Sequence, residues 1–291
     1  MTDFQLAVAL SLSAAFIFAV GAQLTRYGLR TVDPQSGALV SIAAATVLYW
    51  CVAPWQLSVA MFASSAVWLF VLVGMFRPAV SSTCAMIGTA ILGPTVSTTL
   101  SSTAPFFGLA FGVAFLGESL TVPVTVGTLS IAIGVMALAK RDGKGEDTSW
   151  PLWALALPVL AAVIRVGAHL LTKVGMEEIP SAYFAGLVAY NASLTVAVTT
   201  FIFRKKSVLT LVRDPNVHWF IGAGVAFGIA VLLVNVALQF GPLSVVAPLV
   251  SLEAIFVLAL GLTIFKEGRL TLRVVVAVTL VVAGAVAISA R

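Results

Sequence analysis

The sequence predicts an all-α polytopic membrane protein whose ten transmembrane helices form two inverted five-helix repeats. Three observations carry this expectation. Of 291 residues, 60% are hydrophobic and only 9% charged, whereas a soluble domain covers its surface with roughly 25% charged residues. The apolar residues fall in runs long enough to cross a bilayer. Short motifs of the first half recur in the second, in the same order.

A helix needs about 20 apolar residues to cross the ~30 Å hydrocarbon layer. Ten runs are placed at 4–25, 35–54, 65–91, 95–116, 121–139, 152–172, 181–203, 217–239, 243–265 and 271–290. They lack the strict alternation of membrane strands. The first has no basic stretch before Phe4 and no cleavage pattern after it, so it reads as a retained helix and not a signal peptide. The third carries Arg77-Pro78 in its middle, where two shorter segments broken at Pro78 are the alternative; one long kinked helix is expected, because lipid tolerates no exposed non-helical backbone. The fourth opens with Thr95, Ser97, Thr98, Thr99, Ser101, Ser102 and Thr103. Such hydroxyl density suits the wall of a watery cavity and also permits close helix packing.

Gly108-x-x-x-Gly112 and Gly224-x-x-x-Gly228 read as seams between helices of one bundle. Trp50, Trp55, Trp150, Trp153 and Trp219 fall near span ends, as interfacial anchors do. Cys51 and Cys84 stand apart from any CxxC or Cys/His cluster and are expected as buried small hydrophobes. No metal site and no cofactor is expected.

The longest polar break, Lys140 to Ser149, lies at mid-chain. The organisation expected is a first repeat at 1–140, a polar linker at 141–150 and a second repeat at 151–291. Leu24-Thr25-Arg26-Tyr27-Gly28 matches Leu171-Thr172-Lys173-Val174-Gly175 at an offset of 147. Pro34 and Pro180 follow at 146, and Gly93-Pro94 and Gly241-Pro242 at 148. Glu118-Ser-Leu-Thr121 meets Glu267-Gly-Arg-Leu-Thr271 after one more insertion. Five spans per repeat is an odd number, so the second repeat inserts upside down, the plan of many secondary transporters.

Lys and Arg divide unevenly between the two sets of loops. Arg26, Arg30, Lys140, Arg141, Lys144, Arg204, Lys205, Lys206, Arg213, Lys266, Arg269 and Arg273 share one side, and Lys173 and Arg291 the other. The positive-inside rule puts the richer side in the cytoplasm and both termini outside, for a multi-pass protein of a cell inner membrane. This asymmetry accounts for the net charge of +5 without a nucleic-acid partner.

Leu92 to Thr121 reads LGPTVSTTLSSTAPFFGLAFGVAFLGESLT, and Ser251 to Glu267 reads SLEAIFVLALGLTIFKE. With the twofold five-span layout, these stretches resemble the drug/metabolite transporter superfamily, EamA type. That family often shows Leu-Glu-Pro in the ninth span and a small-residue-rich helix ending in Gly-Glu-x-Leu-Thr. Leu252-Glu253-Ala254 departs at the proline, whereas Ala104-Pro105 in the fourth span keeps it. The resemblance covers nearly the whole chain in layout and implies a solute permease. It also implies cytoplasmic termini, against the charge count, which is the reading kept here.

Ionisable residues at bilayer depth cost ~2.5–3.5 kcal/mol on insertion scales, so they face the bundle interior and mark a pathway. Arg77, Arg165 and Glu253 are such residues. At 1.5 Å per residue their depths agree within about 6 Å, and His169, four residues after Arg165, shares its face. Two arginines against one acid favour a carboxylate-bearing ligand. An amino acid fits, with arginine on its carboxylate and Glu253 on its amine, and Glu253 is also the candidate carrier of a coupling proton. The competing structural reading is an Arg165–Glu253 ion pair that joins two helices. Asn191 is a substrate-binding candidate whose plainer reading is an interhelical hydrogen bond. Ser97, Thr98, Ser101, Ser102 and Pro105 are expected along the cavity.

The function these features favour is secondary transport of a small organic metabolite, an amino acid or other carboxylate, by alternating access. The partners expected are a small-molecule substrate, the lipid bilayer and a coupling proton or exchanged solute, in a monomer or homodimer. No GxxxxGK[ST] motif appears, which disfavours ATP-driven transport by this chain alone. A membrane enzyme would need a metal cluster or paired carboxylates, and the two histidines, His169 and His218, lie far apart. The alternative is a multidrug or cation exporter, although the first helix has no carboxylate after Asp3 of the kind such small exporters use.

Overall fold

The computed structural model describes residues 2–77, 80, 81, 84, 87, 88, 91, 92, 96, 97, 100–139, 151–204, 211, 214–263 and 272–289. All regular structure among them is helical. Capping side chains set several starts. Thr2 and Gln5 exchange side-chain-to-backbone bonds of 3.3 and 3.1 Å at the head of α1 (Asp3–Gly28), a capping box. Asp33 accepts from the Ser36 amide and Pro34 takes the first turn of α2 (Pro34–Gln56), where a missing N–H costs nothing. Then come α3 (Val67–Phe76), α4 (Ala104–Leu116), α5 (Val122–Ala139), α6 (Ala156–Glu178), α7 (Ala182–Phe203) and α8 (Val217–Phe240). The ninth span is α9 (Leu243–Val250) with α10 (Glu253–Thr263), and α11 (Leu272–Ser289) ends the bundle. Six apolar stretches are long enough to span alone, and shorter apolar helices account for the other four spans.

Three spans expected to be continuous are interrupted. The third is not one kinked helix: α3 stops at Phe76 and Arg77 is extended, with φ −122° and ψ 125°. Arg77 precedes Pro78, and a residue before proline is pushed out of the α region. Ser193 Oγ donates to the freed carbonyls of Gly74 and Arg77 at 2.8 and 2.9 Å. The fourth span turns at Ser102-Thr103 before α4 restarts with Pro105 in its first turn. The ninth turns at Ser251-Leu252, three residues after Pro248, which has no amide to give the Ser244 carbonyl. The Ser251 amide instead contacts the carbonyls of both Ala247 and Pro248.

The halves run in opposite senses. A Cβ on Gly127 of α5 would meet Gly284 and Ile288 of α11, whereas one on Gly134 would meet Ala277 and Val281. The register falls on one helix as it rises on the other, so the two fifth spans are antiparallel. The central pair behaves alike, with Gly108 against Ala247 and Gly112 against Ser244. Joints recur across the halves. The Phe220 ring of α8 fills the space over Gly28 of α1, and the Phe70 ring of α3 fills that over Gly175 of α6. Gly224 of α8 approaches the Ser41 backbone of α2, and Gly74 of α3 approaches that of Ala189 in α7. Both glycine seams thus pack within the bundle, Gly228 lying against Ala45 and Leu48.

The linker 141–150, Gly93-Pro94 and Glu267 lie outside the described residues. Trp50, Trp55 and Trp153 are exposed. Cys84 is half-buried, but Cys51 is exposed and free. It corrects the expectation of burial: as an apolar residue on the outer face of α2, it costs nothing in lipid.

Candidate functional site

The interruptions surround one cavity of about 580 Å³, within the ~300–1,000 Å³ typical of small-molecule sites. Its outer end lies among Leu29, Pro34 and Ala38, all exposed residues at the C-terminus of α1 and the N-terminus of α2. Its inner end reaches the breaks: Arg77 at the end of α3, Ala104 at the start of α4, and Val250, Ser251 and Glu253 between α9 and α10. Helix breaks at membrane depth are tolerated where they line a cavity.

Arg77, Arg165, His169 and Glu253 all line this cavity. Arg77 reaches it because its extended backbone turns the side chain off the helix, and its guanidinium carbon lies 6.0 Å from the Phe18 ring centre. Arg165 and His169 project from consecutive turns of α6. Glu253 stands in the first turn of α10. The groups lie close enough for the charges of Arg77 and Arg165 to act on both Glu253 and His169. Yet Arg165 and Glu253 form no ion pair. Lys173 and Glu118, away from the cavity, do form one at 3.5 Å. No hydrogen bond within the described residues takes up these four side chains.

Asn191 is not on the cavity wall. Its side chain accepts from Trp50 Nε1 at 3.2 Å and donates to the Leu187 carbonyl at 2.7 Å, which ties α7 to α2. The described serines of the hydroxyl-rich stretch do not line the cavity either. Ser97 and Ser102 are buried and bonded within the protein. Ser101 is half-buried and Pro105 buried, and neither lines the cavity. Thr98 lies outside the described residues. A hydroxyl in lipid must bond the preceding turn or a neighbouring helix, as Ser97 and Ser102 do, and Ala104 faces the space.

The cavity wall also contains groups that sequence reading passed over. Tyr190 lines it and packs its ring 5.3 Å from Tyr49. Phe18, Phe220 and Phe227 make its sides apolar, while Ser81 and Ser251 supply hydroxyls. Tyr183 and Tyr190, seven residues apart on one face of α7, are a periodic signal that could have drawn attention to Tyr190.

Residues 5–139 match the EamA-like transporter family. A solved structure titled "Crystal structure of protein" is similar in fold, with a TM-score of 0.80 and 15% identity over 97% of this chain and 95% of that one. No curated protein matches the chain. The matched stretch ends where the polar linker begins, and its apolar helices fit a multi-pass membrane transporter of the drug/metabolite kind. The similarity to the EamA-like transporter family thus covers residues 5–139 of the 291.

Proposed function

We propose that the protein is a secondary transporter that moves a small organic solute bearing a carboxylate, an amino acid being favoured, by alternating access. The observation that carries this reading is a cavity among broken helices lined by Arg77, Arg165 and Glu253, whose side chains have no hydrogen-bond or ion-pair partner among the described residues. An isolated charge is expensive at bilayer depth. A ligand whose carboxylate bridges the arginines and whose amine meets Glu253 would give each of these charges a partner, and the apolar walls from Phe18, Phe220 and Phe227 would hold its carbon skeleton. A cationic drug would instead meet two like charges.

The cavity faces the end of the bundle where Arg26 and Arg30 lie. With that basic face in the cytoplasm, the site is open to the cell interior and closed to the outside. Glu253 is then the candidate carrier of a coupling proton, with exchange of one solute for another as the other mode. The reading is tested by counterflow in proteoliposomes with a panel of amino acids, simple carboxylates and cationic drugs. Uptake confined to carboxylate-bearing solutes supports it, and accumulation of cationic drugs alone overturns it.

A further inference from the structure

The sequence Gly117-Glu118 performs two linked tasks at the face opposite the cavity mouth. Gly117 ends α4 in the left-handed conformation, with φ 62° and ψ 24°, which glycine adopts without a Cβ penalty. The turn brings Glu118 back toward the helix it follows, its amide donating to the Gly112 carbonyl at 3.0 Å. Its carboxylate then reaches the head of α9. Oε1 accepts from the Leu243 amide at 2.6 Å and Oε2 from the Ser244 amide at 2.8 Å, two donors with no partner inside their own helix. Lys173 of α6 lies 3.5 Å from the same carboxylate and donates to the Gly241 carbonyl at 2.6 Å.

The knot joins the halves. Glu118 belongs to the first, whereas Lys173, Gly241, Leu243 and Ser244 belong to the second. On α9, Leu243 and Val246 are fully buried between this knot and Ala247 on the cavity wall, and around them Phe70, Phe184 and Leu238 close the core. Any movement of the halves that opens this face must therefore part Glu118 from α9. The bonds involved are of a kind that entering water can replace, on both carboxylate and amides. Ser244 Oγ, fully buried beside the carboxylate, has no hydrogen-bond partner. It is a polar group that gains a partner only when that face is wet.

We propose that Glu118 and Lys173 form a latch that holds the far face shut, and that its release is a step in exposing the cavity there. This rests on the alternating-access reading above.

The test uses the full chain in proteoliposomes of known orientation, with Cys51→Ser and Cys84→Ser, and with Ala247→Cys as reporter on the cavity wall. A membrane-impermeant maleimide is applied to each face in turn, in the parent, in Glu118→Gln and in Lys173→Met. Release of the latch predicts labelling from the far face that rises about tenfold, the change a ~1.4 kcal/mol shift makes in a two-state population, with a matching fall from the mouth side. Unchanged labelling from the far face in the folded variants overturns the latch. Lys173→Met keeps the Glu118 cap on α9, so it decides the matter should Glu118→Gln fail to elute as a folded protein. The labelling needs no substrate. A shift without carboxylate counterflow would leave the latch standing and remove the substrate reading, whereas counterflow with unshifted labelling would do the reverse.

Discussion

Gly127 and Gly284 approach so closely that a Cβ on either would lie 2.6 or 2.5 Å from the other's carbonyl oxygen. The contact is reciprocal, as contacts on a two-fold axis are. Overpacking costs ~1–3 kcal/mol in a packed core. Gly127→Val is expected to lower the melting temperature in detergent, and Gly284→Val to do the same. Because both insert into one gap, the double variant is expected to fall short of the sum. Fully additive losses would mean that the two helices do not share this seam.

Arg77→Ala is expected to reduce carboxylate counterflow at least tenfold, the equivalent of ~1.4 kcal/mol in binding. Stability is expected to hold, because the backbone carbonyl, and not the guanidinium, takes the Ser193 hydrogen bond. Arg77→Lys keeps the charge but not the planar fork, and it is expected to recover only part of the activity. Unaltered counterflow in Arg77→Ala would remove this residue from the site.

Arg165 and Glu253 are expected to be nearly independent in stability. Breaking a buried ion pair costs ~3–5 kcal/mol, because it strands a charge. Glu253→Gln should cost less than about 1 kcal/mol, and a double-mutant cycle with Arg165→Gln should show a coupling below that. Transport is expected to vanish in Glu253→Gln all the same. A coupling of several kcal/mol would restore the structural ion pair as the better account.

Asn191→Ala is expected to leave counterflow unchanged. Loss of its bond to Trp50 should cost ~0.6 kcal/mol, the mean for interhelical hydrogen bonds in membrane proteins. A transport defect without a stability defect would return Asn191 to the pathway.

Phe220→Ala should be the costliest of the changes considered. The ring is 1% exposed and fills the space over both Gly28 and Gly37, and truncating a core phenylalanine costs ~3–5 kcal/mol. Glycines at 28 and 37 cannot move in to close the void. A melting temperature within a degree of the parent would mean that the joint collapses freely.

Apolar run length alone made the ten spans legible, because a bilayer imposes one length on every crossing. The inverted repeat was legible in Gly28 and Gly175, whose missing side chains admit equivalent rings in the two halves. Arg77, Arg165, His169 and Glu253 were legible as candidates because lipid makes their cost conspicuous, and the cavity borders all four. The interruptions at Ser102-Thr103 and Ser251-Leu252 were hidden inside runs long enough to read as single spans. Hydrophobicity reports immersion, whereas proline position decides where a helix restarts. Glu118 stood out as a repeat motif, but its capping role was not legible: its partners, Leu243 and Ser244, are 125 and 126 residues away, and no local pattern announces a cap supplied from another chain segment. Asn191 and the serines of the fourth span carried both a pathway and a packing reading, because polarity in lipid signals an obligation to bond and does not say with whom.

One joint of this bundle is built twice, with Phe220 seated on Gly28 and Phe70 on Gly175. Because the copies point to opposite leaflets, a substitution that slackens only one of them loosens one side of the membrane and leaves the other taut. Under the alternating-access reading proposed above, two such joints that differ in tightness would set how long the protein dwells facing each compartment without any change to the residues that line its cavity.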